Sequence, residues 1–313
     1  MKLTDEQFIV EFKKLGGCSA LARFHGLTVR ATQQRRKSIE QRHGIVLQPS
    51  SNNYSKEYTS KTDYVKRHNA KIKKGNVIVF SDAHFLPGEK SLAFHALLDV
   101  IKELKPKMII ANGDVFDGGS ISRHPPYGWE TIPTVKQELD AVQECMGEIE
   151  KAAKGAELRR TIGNHDIRFD RMLSVQNQPY KGVKGFGLKD HLPKWKESVS
   201  IMINNDLMIR HKPIMGGQNS AGNSAMKAGK SYIHGHLHRL HVTNWSDYNG
   251  KRWGVDCGTL ADLSSDAFFY DEDAPKNWCS GFVVLTFDNN ILFPPETVEV
   301  LNERVYFRGQ QIL

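Results

Sequence analysis

From residue 76 onward, short apolar runs alternate with amphipathic stretches. Asn76-Val-Ile-Val-Phe80, Met108-Ile-Ile-Ala111, Leu158-Arg-Arg-Thr-Ile162 and Tyr232-Ile233 each end near Gly or Asp. Runs of this length and β-branched content predict buried strands. Between the first two, Ser91 to Leu104 places Leu92, Ala93, Leu97, Leu98, Val100, Ile101 and Leu104 near helical spacing, and Pro106 marks the stop. Residues 134–153 predict a second long helix. Val199 to Arg210 predicts two strands joined at Asn204-Asn205-Asp206. Trp253–Cys257, Gly281–Phe287 and Thr297–Val300 predict further strands, with a turn at Asn289-Asn290. Alternating strands and helices followed by hairpins predict an α/β (α+β) fold, a two-sheet β-sandwich flanked by helices. The aromatic, acidic stretch from Phe268 to Trp278 is expected to cap the sheet.

The first 47 residues have a different pattern. Thr4-Asp-Glu-Gln7 has the form of a capping box, followed by Phe8, Ile9, Phe12 and Leu15 on one helical face and by Gly16-Gly17. Ser19 to His25 predicts a short second helix, Gly26 a turn, and Thr28 the cap of a third helix closed by Gly44. A short helix, a turn and a longer basic helix resemble a helix-turn-helix module. On the third helix, Arg30, Gln33, Gln34, Arg35 and Lys37 are side chains suited to base edges and phosphates. Residues 48–75 are rich in Ser, Asn, Lys and Tyr and read as a flexible basic linker. The expected organisation is therefore 1–47 helical domain, 48–75 linker and 76–313 catalytic domain.

Charge strengthens this division. The formal net charge is +8, but residues 1–75 hold 16 Lys/Arg against 6 Asp/Glu, a net of +10. The other residues hold 27 against 29, a net of −2. An excess confined to one end points to a polyanionic partner, nucleic acid and DNA first. No stretch is long and apolar enough to span a membrane, so no membrane partner is expected. Four well-separated cysteines (Cys18, Cys145, Cys257, Cys279) argue for free thiols, a cytoplasmic setting and no Cys-based zinc site.

Five segments carry the chemistry: Asp82-Ala-His84, Gly113-Asp114-Val-Phe-Asp117, Gly163-Asn164-His165-Asp166, His211, and Gly235-His236-Leu-His238. Asp, Asn and His are the ligand types that suit a pair of divalent transition metals. In this order the segments resemble the calcineurin-like metallophosphoesterase superfamily, over roughly residues 76–260. The resemblance implies a dinuclear metal site at one sheet edge. It gives the first ion Asp82, His84, Asp114 and His238, and the second Asn164, His211 and His236, with Asp114 bridging. Manganese is the expected metal, with iron, nickel or zinc as alternatives. A hydroxide between the ions is the implied nucleophile. His165 matches the catalytic general acid and Asp166 the carboxylate that orients it, while Asp117 is expected to brace the site from behind the ligands.

Two departures refine the resemblance. Gly118-Gly119 follows Asp117 where protein Ser/Thr phosphatases carry Arg-Gly, and Asp166 stands where they carry Glu. Both features are closer to the repair-nuclease and phosphodiesterase branch, and the arrangement is similar to bacteriophage metallophosphoesterases. The expected function is a two-metal phosphodiester hydrolase acting on DNA. The alternatives are a phosphomonoesterase or nucleotide phosphodiesterase for small substrates, and a DNA-binding protein whose metal site is structural.

Overall fold

The computed structural model describes residues 3–47, 64–124, 131–265, 268 and 276–313. The chain forms two compact units, residues 1–63 and 64–313.

The first unit contains the helices Asp5–Leu15, Cys18–Phe24 and Val29–His43. Thr4 and Gln7 make the reciprocal capping box, and Thr28 caps the third helix through Ala31 N–H. Both long helices close on a left-handed glycine, Gly16 and Gly44. Their inner faces meet in a small core of Leu3, Phe8, Phe12, Cys18, Leu21, Ile39 and Leu47.

In the second unit the strands are β1 (Arg67–Ala70), β2 (Gly75–Phe80), β3 (Met108–Asn112), β4 (Glu157–Thr161), β5 (Lys196–Ser198), β6 (Ser200–Ile203), β7 (Leu207–Ile209), β8 (Ser231–His234), β9 (Leu240–Asp247), β10 (Gly250–Cys257), β11 (Gly281–Asp288), β12 (Ile291–Leu292), β13 (Glu296–Leu301), β14 (Arg304–Phe307) and β15 (Gln310–Gln311). One sheet runs β1-β6-β7-β8-β10-β9, and the other runs β15-β14-β13-β11-β2-β3-β4-β5, with β12 paired to β11. Strands β2, β3, β4 and β5 are mutually parallel. So are β7, β8 and β10.

Successive side chains of a strand point to opposite faces. Val77 and Val79 of β2, with Met108 and Ile110 of β3, enter the layer between the sheets, where they meet Ile201, Ile209, Ile233 and Val255. Ile78, Phe80, Ile109 and Ala111 face the other way, among Phe94, Leu97, Ile101, Val142, Met146 and Ile149. Those last six lie on the helices Leu92–Leu104 and Val135–Ala152. Because β2 and β3 are covered on both faces, they read as continuous apolar runs rather than alternating ones. Each fully buried aliphatic side chain there is worth roughly 1.5–3 kcal/mol.

The hairpin between β6 and β7 turns where it was expected, with Asn204 and Asn205 at φ 51° and 55°. Two left-handed residues match the twist of a tight hairpin.

The proposed linker needs correction at its C-terminal end. Residues 48–63 lie outside the described residues, but Arg67–Ala70 is a strand, parallel to β6. Val65 O accepts from Val199 N–H at 2.8 Å, and Asn204 bonds both the N–H and the carbonyl of Ile72 at 2.8 Å. The second unit thus begins at Tyr64, ahead of the expected residue 76. As an edge strand β1 is only half covered, so its Arg-His-Asn-Ala sequence has no apolar signature.

Candidate dinuclear metal centre

Every motif leaves the carboxyl end of a strand: Asp82 after β2, Asp114 after β3, Asn164 after β4, His211 after β7 and His236 after β8. Open α/β sheets gather ligands at such ends. The backbone there is unusual. Asp82, His84, Asp114, His236 and His238 have φ of 52°, 40°, 54°, 71° and 55°. Non-glycine residues rarely adopt this region, and each instance costs about 1–3 kcal/mol that the surroundings must offset.

The surroundings are a set of cross-loop hydrogen bonds. Asp82 N–H donates to Gly113 O, and His84 N–H to Asp114 O, both at 3.0 Å. His236 N–H donates to Asp82 Oδ2 at 2.8 Å, and Thr259 Oγ1 to Asp82 O at 2.6 Å. Two motif glycines allow the loops to close. A Cβ on Gly163 would lie 2.0 Å from Asp114 Oδ1 and 2.4 Å from Asp114 N. One on Gly235 would lie 1.9 Å from Ser81 Oγ.

The result is two overlapping donor sets. Ligand atoms of Asp82, His84 and His238 lie within 4.8 Å of one another, and so do those of Asp114, His211 and His236. A third set, His84, Asp114 and His165, joins them. Asn164 completes the second set: its Oδ1 is 3.1 Å from His211 Nε2, which is itself 2.9 Å from Asp114 Oδ2. His211 Nδ1–H donates to Asn112 O at 2.8 Å, which turns the Nε2 lone pair toward the cluster.

A cation fits this cavity on a specific count. Asp82 Oδ1, His84 Nε2 and His238 Nδ1 are buried without a hydrogen bond. Such groups cost about 1–3 kcal/mol each, and more when charged. Oxygen and imidazole donors in two sets sharing Asp114 suit a dinuclear divalent centre.

The electrostatics prepare the same donors. Burial pushes Asp82 up, but the neighbouring His211 and His238 outweigh it and hold its carboxyl at about 2. Asp114 is likewise opposed by burial yet held far below the carboxylate range by His211, His165 and His84. Burial and the His211 charge lower His236 to about 4, so its lone pair is free at neutral pH.

Beside these donors stands His165, with its ring 4.7 Å from that of His84. Its orienting carboxylate differs from the expected one. Asp117 Oδ1 is 2.8 Å from His165 Nδ1 and also 2.8 Å from His84 Nδ1. Asp166 instead accepts the backbone N–H groups of Asp114, Val115, Phe116 and Gly163 at 3.0–3.3 Å. It is also paired with buried Arg160 at 3.3 Å. Asp166 is the first residue of the helix Asp166–Gln176, where a carboxylate is favoured and is turned away from the preceding imidazole. It ties the second motif to the third.

Several residues of the site had no sequence assignment. Arg160 was legible as a charge inside a strand that must be paired. Glu138 accepts from Gly118 N–H at 2.6 Å and Gly119 N–H at 3.2 Å, holding the loop after Asp117. Burial raises its carboxyl to about 7. Arg168 contacts both Asp117 and His165. Phe268 and Trp278, expected in a sheet cap, stand at the cluster: Trp278 is 4.5 Å from the His238 ring, and Phe268 is 6.1 Å from His84. Residues 269–275 of that stretch lie outside the described residues.

The helix residues assigned to nucleic acid belong to the first unit. Arg30, Gln33, Gln34 and Lys37 are exposed on one stripe of Val29–His43. Arg35 is not free for such a role. It donates to Leu3 O and lies over the Phe8 ring at 5.5 Å. The four cysteines are unpaired, and no helix among the described residues is long and apolar enough to cross a membrane.

Several known proteins are similar to this chain over most of its length. The gene 54 protein of Mycobacterium phage L5 is 23% identical over 256 residues, covering 75% of this chain and 97% of that protein. Among solved structures, zinc-bound Vps29 from Entamoeba histolytica superposes with a TM-score of 0.42 at 13% identity, covering 75% of this chain and 98% of its own. A dimetal phosphatase from Danio rerio gives 0.38 at 10% identity, covering 77% and 98%. The profile of the calcineurin-like phosphoesterases matches residues 75–299. The chain belongs to the calcineurin-like phosphoesterase family, whose members are metal-dependent phosphoester hydrolases.

Proposed function

We propose that this protein is a nuclease: a two-metal phosphodiesterase that acts on DNA, with manganese as its working metal. The observation that carries the nucleic-acid reading is the third helix of the first unit. Arg30, Gln33, Gln34, Lys37 and Gln41 form one exposed stripe. The single acid of that helix, Glu40, is turned to Arg36 at 2.9 Å. A stripe of donors without acids suits a phosphate backbone and base edges. Phe268 and Trp278 support the same reading from the catalytic side, because they set aromatic rings beside His84 and His238, where a base could pack.

Within the site, Asp82, His84, Asp114 and His238 would hold one ion, and Asp114, Asn164, His211 and His236 the other. A pair of divalent ions held by these residues would supply charge neutralisation of the phosphate and acidification of a water. Asp114 belongs to two of the donor sets and would serve both ions. His165 is oriented through Nδ1 by Asp117, which leaves Nε2 as the atom that delivers a proton to the departing oxygen. Asp117 orients His84 through the same oxygen, so ligand and acid are held in one frame.

The test incubates the full chain and Asp114→Ala with Mn²⁺ and labelled single- and double-stranded DNA, beside a generic aryl phosphodiester and an aryl phosphomonoester. Cleavage of DNA that requires both metal and Asp114 is the expected result. Hydrolysis of the monoester, with DNA intact, would replace the nuclease reading with a small-substrate phosphatase.

A further inference from the structure

The side chain of Arg168 is unassigned by any motif, yet it stands against the proton-delivering atom. Its Nη2 lies 3.3 Å from His165 Nε2, and its Nη1 donates to Asp117 O at 2.9 Å. The aliphatic stem packs on the loop after the second motif, close enough that a Cβ on Gly118 would be 3.3 Å from Arg168 Cβ and Cδ. Asp117 Oδ2 is 3.9 Å away, a loose ion pair.

A guanidinium has donors only. One of its donors covers His165 Nε2, while His165 Nδ1 faces Asp117. In this arrangement Nε2 is covered and cannot face a leaving oxygen. The guanidinium is also poorly matched to its surroundings. Among the described residues it holds a carbonyl and an imidazole, with no close bidentate carboxylate, although planar oxyanions are its preferred partners. It is about one-fifth exposed, so it has room to swing.

We propose that Arg168 is a phosphate-binding residue that covers His165 at rest and transfers to a non-bridging phosphate oxygen when substrate enters. The incoming phosphate supplies the paired acceptors that the guanidinium lacks. Rotation about the stem, with Nη1 pivoting near Asp117 O, exposes Nε2 at the moment the substrate occupies the site. One residue thus couples phosphate recognition to uncovering of His165 Nε2. The idea rests on phosphoester chemistry at this centre and is independent of whether the ester is a nucleic acid.

The test compares the wild type with Arg168→Gln and Arg168→Lys, all as the full chain loaded with Mn²⁺. Inorganic phosphate is titrated by calorimetry, metal content is measured, and KM and kcat are obtained on an aryl phosphodiester. Loss of one charge-assisted contact predicts phosphate affinity weaker by about 10- to 100-fold in Arg168→Gln, with KM raised in step and metal retained. Arg168→Lys should recover part of the affinity, since it keeps the charge without the fork. Unchanged phosphate affinity in Arg168→Gln would overturn the proposal, whether or not kcat or metal falls, and would leave Arg168 as a brace for Asp117. If the wild type hydrolyses no phosphoester at all, the phosphate titration still decides the role of Arg168 separately.

Discussion

In the N-terminal unit the ends of both long helices use residues that suit them. Thr4 and Thr28 cap, Gly16 and Gly44 take the left-handed closing position, and Glu40 pairs with Arg36. At the metal centre the same preferences are broken. Two Asp and three His residues occupy left-handed backbone. Asp82, Asp114 and His211 are buried, and three donor atoms there make no hydrogen bond. Strain and unsatisfied polarity of this kind persist only where the rest of the structure enforces them. The contrast teaches where to look for chemistry: in the region that violates the local rules.

The comparison can be sharpened first at His165. His165→Ala should retain both metals and lose about 10²–10⁴ in turnover on a phosphodiester. Metal loss in that variant would move His165 among the ligands, as its place in the third donor set permits.

The next largest effect separates the two carboxylates. Asp166→Ala leaves four backbone N–H groups without their acceptor and Arg160 with Glu197 as its remaining partner, and should cost about 2–4 kcal/mol in denaturant unfolding. Asp117→Asn should cost about 1 kcal/mol or less while lowering turnover. Equal destabilisation by the two would collapse the distinction between brace and orienting group.

A smaller effect concerns pH. Glu138 has its carboxyl raised to about 7 by burial, against an unfolded value near 4.5. The folded state therefore holds a proton that the unfolded state has lost, and stability falls as pH rises from about 4.5 to 7, by at most about 3 kcal/mol. Glu138→Gln should flatten that part of the stability profile. An unchanged slope would show that another group carries it.

The smallest effects belong to the exposed stripe. Arg30→Ala and Lys37→Ala should each change stability by less than about 0.5 kcal/mol and leave aryl phosphodiester hydrolysis intact. Each should weaken DNA binding and lower the salt slope by about one. Arg35→Ala should instead destabilise the first unit by about 1–2 kcal/mol through lost contacts with Leu3 O and Phe8. Equal effects of the three substitutions on DNA binding alone would remove the division between the exposed stripe and the inward-facing Arg35.

Much of this was legible without coordinates because it depends on neighbours in the chain. Apolar period marked β2, β3 and the helix Leu92–Leu104, turn chemistry marked Asn204-Asn205, and capping marked Thr4 and Thr28. The donor set was legible because its members follow strand ends in a recognisable order. Which donors share a pair, and which carboxylate meets which imidazole, was settled only in three dimensions. Asp117 meets His165 from 48 positions away, while adjacent Asp166 turns back to amides some 50 positions earlier. Arg168, Phe268 and Trp278 reach the centre by packing rather than by motif. The polar edge strand β1 exists only because β6 offers it a partner. Local sequence determined most of the elements and the set of candidate donors, since periodicity, caps and turns act over a few residues. Tertiary structure decided the roles, since a hydrogen bond between distant residues depends on the packing that brings them together.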